Sequence, residues 1–200
     1  KRKNLVSSNL SLRDNKIGPL WESVLYLKKE IPELKRSMVF AVLGLTDTRN
    51  PLPHTMFVAE DAATALPRRL AELQKGMDLV VLLTDIPTID LKELIRKNPG
   101  IDLAIVSNHG GALNPAERIE DTAIVESFDQ GKYLGEMALY LDDQARLVRI
   151  RNRFVELNAS VPNPMSLTPL AQEAEQSMAN IRMHLHPRTQ HCLLLLAIIL

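Results

Sequence analysis

The stretch that decides the fold is GMDLVVLLTDIPTIDLKELIRKNPGIDLAIVSNHGG, residues 76–111. Two short apolar runs, at 78–83 and 102–106, lie on either side of a segment at 90–97 whose pattern indicates a short helix. Short apolar runs bounded by polar turns are typical of strands buried on both faces. The order strand–helix–strand therefore predicts parallel strands joined by right-handed crossovers.

The flanking sequence extends this pattern in both directions. Upstream, the apolar run at 38–45 predicts another buried strand, the segment 59–76 predicts a helix in which Pro67 favours a kink or a late start, and 5–10 and 23–27 are strand-like. Downstream, three segments indicate antiparallel strands, with a hairpin turn at 142–144. They are 122–127, 133–141 and 146–157. The sequence thus predicts an α/β fold with parallel strands first and antiparallel strands after them.

The C-terminal region differs in composition from the rest. Residues 158–168 are rich in Pro, Asn and Ser and are interpreted as a linker, and 169–200 as a C-terminal helix with an apolar tail. The apolar stretch 192–200 is much shorter than the roughly 20 residues of a membrane-spanning helix. A truncated helix or a sequence artefact is therefore favoured over a membrane anchor.

Charge and cysteine content exclude some classes of protein. Lys plus Arg and Asp plus Glu both number 24 in 200 residues, so the formal net charge is zero. Nucleic-acid binders usually carry a basic excess, so no nucleic-acid partner is predicted. The chain has one cysteine, Cys192, which excludes an internal disulfide.

Polar residues follow three of the predicted parallel strands. Asp47 follows the strand at 38–45, Asp85 follows 78–83, and Asn108 and His109 follow 102–106. Functional groups of open α/β sheets collect at the carboxyl ends of parallel strands, and oxygen and imidazole donors from several loops suit a divalent cation. Such residues also serve as helix caps and turn residues, so a metal site and a purely structural role both remain possible interpretations.

Two pieces of the sequence resemble a known family. The 76–111 stretch resembles the late core of 5′-nucleotidase-type metallophosphoesterases, of the calcineurin-like phosphoesterase superfamily, in which one strand ends in Ser-His and a Pro-Gly-Ile-Asp strand ends in Gly-His-x-His. The segment TAIVESFDQGKYLG, 122–135, resembles the strand and Gly-Lys-Tyr turn that follow. Segments 6–10, 38–46 and 57–74 resemble upstream parts of the family in the same order, so the likeness covers about residues 4–150.

This resemblance implies an architecture and a chemistry. The family fold is a four-layer α-β-β-α sandwich, of which residues 1–157 correspond to the second half, and two divalent metal ions bind the phosphate of the substrate. Asp85, Asn108 and His109 are the implied metal-site residues, with a phosphorylated small molecule such as a nucleotide as partner. The resemblance also implies an N-terminal half of the domain, room for a further C-terminal domain, and a periplasmic or extracellular location.

The family's histidines are replaced in this chain. Asp85 stands in place of the Ser-His histidine, while Asn108 and Gly110 stand in place of the two in Gly-His-x-His, with His109 between them. The expectation is therefore a phosphoester hydrolase-like domain with a degenerate site, and the alternative is a non-catalytic binding or structural module. A dinucleotide-binding domain is disfavoured because the chain has no Gly-x-Gly-x-x-Gly.

Overall fold

The computed structural model describes residues 5–14, 20–32, 35–50, 56–107, 116–127, 131–142, 144, 146–158, 160–161, 168–169 and 172–176. The chain divides into two compact units, Lys1–Val155 and Glu156–Leu200. In the second unit, residues 168–169 and 172–176 are helical, at the start of the predicted C-terminal helix. The domain limits and the linker stay predictions. None of the described helices has the length and apolar character needed to cross a membrane.

The secondary structure of the first unit is mixed. Its elements in chain order are β1 (Leu10–Leu12), β2 (Leu25–Ile31), β3 (Arg36–Leu45), β4 (Phe57–Ala59), α1 (Ala62–Ala71), β5 (Leu79–Thr84), α2 (Thr88–Lys97), β6 (Leu103–Ser107), β7 (Glu117–Ile119), β8 (Thr122–Ser127), β9 (Tyr133–Leu141) and β10, which begins at Leu147 and ends at Glu156. The predicted strand–helix–strand core is confirmed.

The central sheet has six strands in the order β2-β3-β5-β6-β8-β7. β3, β5, β6 and β8 are parallel, whereas β2 and β7 are antiparallel to their neighbours at the two edges. β1 pairs with β4, and β9 forms a hairpin with β10. The fold is α/β, with a mostly parallel sheet and antiparallel hairpins.

One prediction about strand direction was wrong. The segment 122–127 was expected to be antiparallel, but β8 pairs in parallel with β6, with Val106 opposite Glu126. Residues 122–126 are all buried, which is the pattern of an interior strand covered on both faces. The antiparallel partner of β8 is β7, a short strand that the sequence analysis missed and that reaches β8 through the turn at Glu120 and Asp121.

Two further boundaries differ from the predictions, whereas one predicted turn is confirmed. The first strand is β1 rather than 5–10, and before it the side chains of Ser8 and Asn9 bond to the backbone of other segments. The helix predicted at 59–76 begins only at Ala62, after β4, and runs through Pro67. The hairpin turn at 142–144 is confirmed by a hydrogen bond of 3.0 Å from the Asp142 N–H to the Arg146 carbonyl.

The sheet separates two apolar layers because successive side chains of a strand point to opposite faces. One face packs against both helices, through residues such as Leu43 and Leu82 in the sheet and Leu66 and Leu91 in the helices. The other face packs against the β9–β10 hairpin. Its contacts join Leu79, Leu103, Ala123 and Val125 to Met137, Leu139, Leu147 and Ile150.

An aspartate precedes each of two parallel strands and ties it to the neighbouring strand. The Asp78 carboxylate accepts the Val39 N–H at 2.7 Å, and the Asp102 carboxylate accepts the Val80 N–H at 2.7 Å. The negative charge of Asp78 is compensated by the guanidinium of Arg36, which lies 2.6 Å away. Burial raises the pKa of Asp102, against the lowering effect of the Val80 hydrogen bond, and the charge of Asp121 raises it further.

We expect Asp102→Asn to leave the free energy of unfolding at pH 7 unchanged or to raise it by up to about 1 kcal/mol. A carboxyl whose pKa is raised on folding stabilises the fold below its unfolded pKa, near pH 4, and loses that effect as pH rises through the folded pKa. Asparagine keeps the acceptor for Val80 without the buried charge. Urea unfolding at pH 7 and pH 4 measures this, with Asp78→Asn, which removes the ion pair with Arg36, as the destabilising control. A loss above about 1 kcal/mol for Asp102→Asn at pH 7 would contradict the account.

Candidate functional site

The carboxyl ends of the four parallel strands lie along one edge of the sheet. The register aligns Leu45 with Thr84, Thr84 with Val106, and Val106 with Glu126. Asp85 directly follows Thr84, and Ser107 directly follows Val106. The candidate residues after β5 and β6 therefore start from adjacent strands, which are about 4.8 Å apart in a sheet.

Asp85 is half-buried and both of its carboxylate oxygens are engaged. Oδ1 accepts the Asp47 N–H at 2.6 Å, and Oδ2 lies 3.5 Å from the Asn50 amide nitrogen. These contacts tie the end of β5 to the loop after β3. The structure thus gives Asp85 a turn-stabilising role, and the oxygens keep further lone pairs, since each accepts one hydrogen bond.

Asp47, the other described candidate, forms an ion pair with Arg49. The Arg49 Nη2 lies 2.8 Å from Asp47 Oδ2, and the Arg49 N–H also bonds Asp47 Oδ1 at 3.0 Å. The same guanidinium reaches Asp90 in the first turn of α2 at 2.7 Å. This hydrogen bonding lowers the pKa of Asp47, against the opposing effect of burial, and it raises the pKa of Arg49. Arg49 thus joins the β3 loop to α2.

The ion pair of Asp47 predicts a pH-dependent contribution to stability. A carboxyl whose pKa is lowered on folding stabilises the fold above its unfolded pKa, near 4, and loses this as pH falls through the folded pKa. We expect Asp47→Asn to lower the free energy of unfolding by about 1 kcal/mol at pH 7, and by less below pH 4. Asp61→Asn is the control, because the Asp61 side chain makes no capping hydrogen bond. Equal losses for Asp47→Asn at both pH values would contradict the assignment.

A cleft of about 230 Å³ opens on the helix side of this edge. Its lining residues are Asp47, Thr48, Arg49, Asp61, Ala62, Ala63, Ile86, Asp90 and Leu94. Asp61 occupies the N-cap position of α1, where its carbonyl accepts the N–H groups of Thr64 and Ala65 but its side chain makes no capping hydrogen bond. Arg49 and Asp90 were not predicted from the sequence, because their only signal there was opposite charge on two distant segments.

The remaining predicted ligands, Asn108 and His109, lie outside the described residues. Within the part of the chain that the structure describes, no group of three or more His, Cys, Asp or Glu side chains could hold a metal ion. Of the three predicted ligands, the described residues supply Asp85 alone. A carboxylate fixed by hydrogen bonds is a suitable ligand for a divalent ion.

Glu126, which was also not predicted from the sequence, is the penultimate residue of β8 and lies at the same edge. It is buried, and its carboxylate accepts the Thr88 hydroxyl at 3.1 Å. Thr88 begins α2, where a negative charge is favourable beside the helix N-terminus. Glu126 therefore fixes the start of α2 against the sheet.

Solved structures share this arrangement of strands and helices. A Thermus thermophilus sulfate thiohydrolase, SoxB, in complex with glycerol superposes with a TM-score of 0.65 at 21% identity, over 92% of this chain and 33% of that one. A 5′-nucleotidase precursor, also from Thermus thermophilus, gives 0.65 at 15% identity, over 90% and 39%. The NAD nucleotidase of Haemophilus influenzae gives 0.55 at 12% identity, over 90% and 36%.

The fold is that of part of a 5′-nucleotidase or SoxB chain. The chain spans between a third and two fifths of the length of these proteins. No protein-family model matches the sequence, and no curated protein matches it. At these identities the likeness establishes the fold and leaves the activity to be proposed.

Proposed function

We propose that the chain forms the second half of a metal-dependent phosphoester hydrolase domain of the 5′-nucleotidase type, acting on a phosphorylated small molecule such as a nucleotide. The observation that carries the proposal is the position of Asp85 at the carboxyl edge of the parallel sheet, next to the strand that leads to Asn108. Ligands of open α/β sheets bind at this edge. The fold likeness to 5′-nucleotidase and SoxB structures supports the same conclusion.

In this proposal Asp85, Asn108 and His109 hold divalent metal ions. Such ions, when bound, stabilise the attacking and leaving oxygens of a phosphoryl centre. Asp85 supplies a carboxylate oxygen, and its hydrogen bond from the Asp47 N–H fixes the carboxylate direction. The carboxylate and amide replacements of histidine shift the preference toward harder ions such as Mg²⁺ and Mn²⁺. The degenerate set implies weaker metal binding than in a site with all its histidines.

The proposal places the other half of the domain in another part of the protein. The chain spans about a third of SoxB and 39% of the 5′-nucleotidase precursor, which fits a partial domain. The remaining metal ligands come from that half, before residue 1, and any further domain is joined through 158–168. The same resemblance supports a periplasmic or extracellular location for the protein.

The second candidate is a non-catalytic module that keeps the fold. This candidate is favoured because the carboxylates of Asp47 and Asp85 both make contacts within the protein. Asp85 binds the Asp47 N–H, and the Asp47 side chain, 9% exposed, is paired with Arg49. Gly110, at a family histidine position, has no side chain to bind a metal.

Two substitutions at one position separate these functions. In the complete protein containing this chain, p-nitrophenyl phosphate and AMP hydrolysis is measured with added Mn²⁺, together with Mn²⁺ affinity by calorimetry. Asp85→Asn keeps an acceptor for the Asp47 N–H, so a structural role predicts near wild-type behaviour for Asn and destabilisation for Ala. A metal-binding role predicts a loss of Mn²⁺ affinity of about tenfold or more for both.

Glu93→Gln on the exposed face of α2 is the control, since its partner is Lys97 alone among the described residues. The hydrolase proposal requires turnover in the unmodified protein. A folded complete protein with neither turnover nor Mn²⁺ binding would leave the non-catalytic module as the function.

A further inference from the structure

The outward face of the β9–β10 hairpin carries a row of arginines, and it lies apart from the proposed site. Arg149, Arg151 and Arg153 alternate along β10 and are all exposed. Residues two apart on a strand lie on the same face, at about 6.8 Å spacing. With outward-facing residues of β9 they form a surface called here the arginine face. Its members are Leu134, Glu136, Tyr140, Arg149, Arg151 and Arg153.

The opposite side of the hairpin fixes this surface in place. Met137, Leu139 and Ile150 pack on the central sheet, and the Asn152 side chain accepts the Ala116 N–H at 2.9 Å. A hairpin anchored along its length presents its arginines without losing much backbone entropy on binding. The arginine face is therefore preorganised.

The positive charge of this face is incompletely compensated. Arg153 pairs with Glu136 at 2.5 Å, and the Arg149 guanidinium lies 5.5 Å from the centre of the Tyr140 ring. Within the described part of the chain no carboxylate pairs with Arg149 or Arg151. Leu134 and Tyr140, 56% and 43% exposed, add apolar and aromatic surface to the same face.

We propose that the arginine face docks on an anionic lipid surface. Arginines near such a surface are attracted to lipid phosphates, and tyrosine is enriched at the level of the headgroups. The exposed Leu134 adds an apolar contact at the acyl boundary. The chain as a whole is neutral, so it lacks the general basic excess of a nucleic-acid binder.

The test compares binding of the complete protein that contains this chain to vesicles of phosphatidylcholine alone and to vesicles with 40% phosphatidylglycerol, by flotation. The proposal predicts preference for the anionic vesicles, lost between 0.1 and 0.5 M salt because screening shortens the range of the attraction. Any binding by the apolar residues 192–200 is common to the wild type and to all the variants, so it does not affect the comparison between them.

Changing all three arginines to glutamine is expected to lower the partition onto anionic vesicles about tenfold or more. A matched variant with Lys28, Lys29 and Lys75 changed to glutamine, which loses the same charge elsewhere, is expected to keep most of the binding. Glu136→Gln removes the partner of Arg153 and is expected to raise the partition several-fold. Equal binding to both vesicle types, or equal losses in the two triple variants, would overturn the proposal.

Discussion

Gly44→Val is expected to lower the free energy of unfolding by about 3 kcal/mol or more, enough to prevent folding of a marginal domain. A side chain at Gly44 has no room, because its Cβ would lie 2.8 Å from the Val6 carbonyl oxygen and 3.3 Å from the Val6 carbonyl carbon. Both are backbone atoms. The same backbone segment donates the Ser8 N–H to the Gly44 carbonyl at 2.6 Å, so it cannot move away without losing that bond.

Gly135→Ala is the matched control within the same unit. A Cβ at Gly135 would lie 3.7 Å from the Phe154 ring, an ordinary contact with a side chain. Because alanine also reduces the entropy of the unfolded chain, this change is expected to be neutral or mildly stabilising. Urea unfolding followed by circular dichroism compares the two. A Gly44→Val protein as stable as the wild type would show that segment 6–8 does not lie against β3.

Asn9→Leu is expected to lower the free energy of unfolding by about 3 kcal/mol. The Asn9 side chain, in a residue 3% exposed, acts as a backbone substitute beyond the end of β3. Its Nδ2 donates to the Thr46 carbonyl at 2.8 Å and to the Glu60 carbonyl at 2.9 Å, and its Oδ1 accepts the Thr46 N–H at 2.9 Å. Leucine has a similar size and leaves these buried groups unpaired.

Asn9→Asp separates size from hydrogen bonding in the same experiment. It keeps the acceptor for the Thr46 N–H and turns the two donor contacts into repulsions, so a loss close to that of leucine is expected. Ser11→Ala is the control, since its exposed hydroxyl makes one long bond of 3.4 Å to Val58. If Asn9→Leu proved no more harmful than Ser11→Ala, the bridge from Asn9 to Thr46 would not contribute to stability.

The sequence predicted correctly those strands that consist of a continuous apolar run, because such a run is consistent only with a buried position. The runs at 78–83 and 102–106 carry too few polar residues for a surface position, and they became β5 and β6. The placement of Asp85 at the carboxyl edge followed from the parallel order of these strands. The direction of β8 relative to β6 could not be predicted from the sequence. A short buried run has the same composition whether the strand pairs in parallel or antiparallel.

Contacts between distant segments could not be predicted from the sequence at all. Arg49 reaches Asp90 across 41 positions of the chain, and its charge is common among surface residues. Asn9 was recognised only as part of a strand-like resemblance, whereas its role arises from the simultaneous approach of Thr46 and Glu60. Side-chain bonds of this kind depend on the assembled fold.

Asp85 combines a structural contact with the proposed metal role. Its hydrogen bond from the Asp47 N–H is 2.6 Å long and also orients the carboxylate. Supporting hydrogen bonds of this kind are common for carboxylates that bind metals, so the contact does not by itself choose between the two functions. The choice depends on where a metal ion binds in the complete protein.

The most direct test is anomalous X-ray scattering at the manganese edge from crystals of the complete protein soaked in Mn²⁺. The proposal predicts a peak about 2.2 Å from an Asp85 carboxylate oxygen, with the segment that carries Asn108 and His109 among its ligands. The contradicting result is a well-ordered edge with no manganese near Asp85, in which the carboxylate is still bonded to the Asp47 N–H and close to the Asn50 amide. This edge would then not be a metal-dependent hydrolase site.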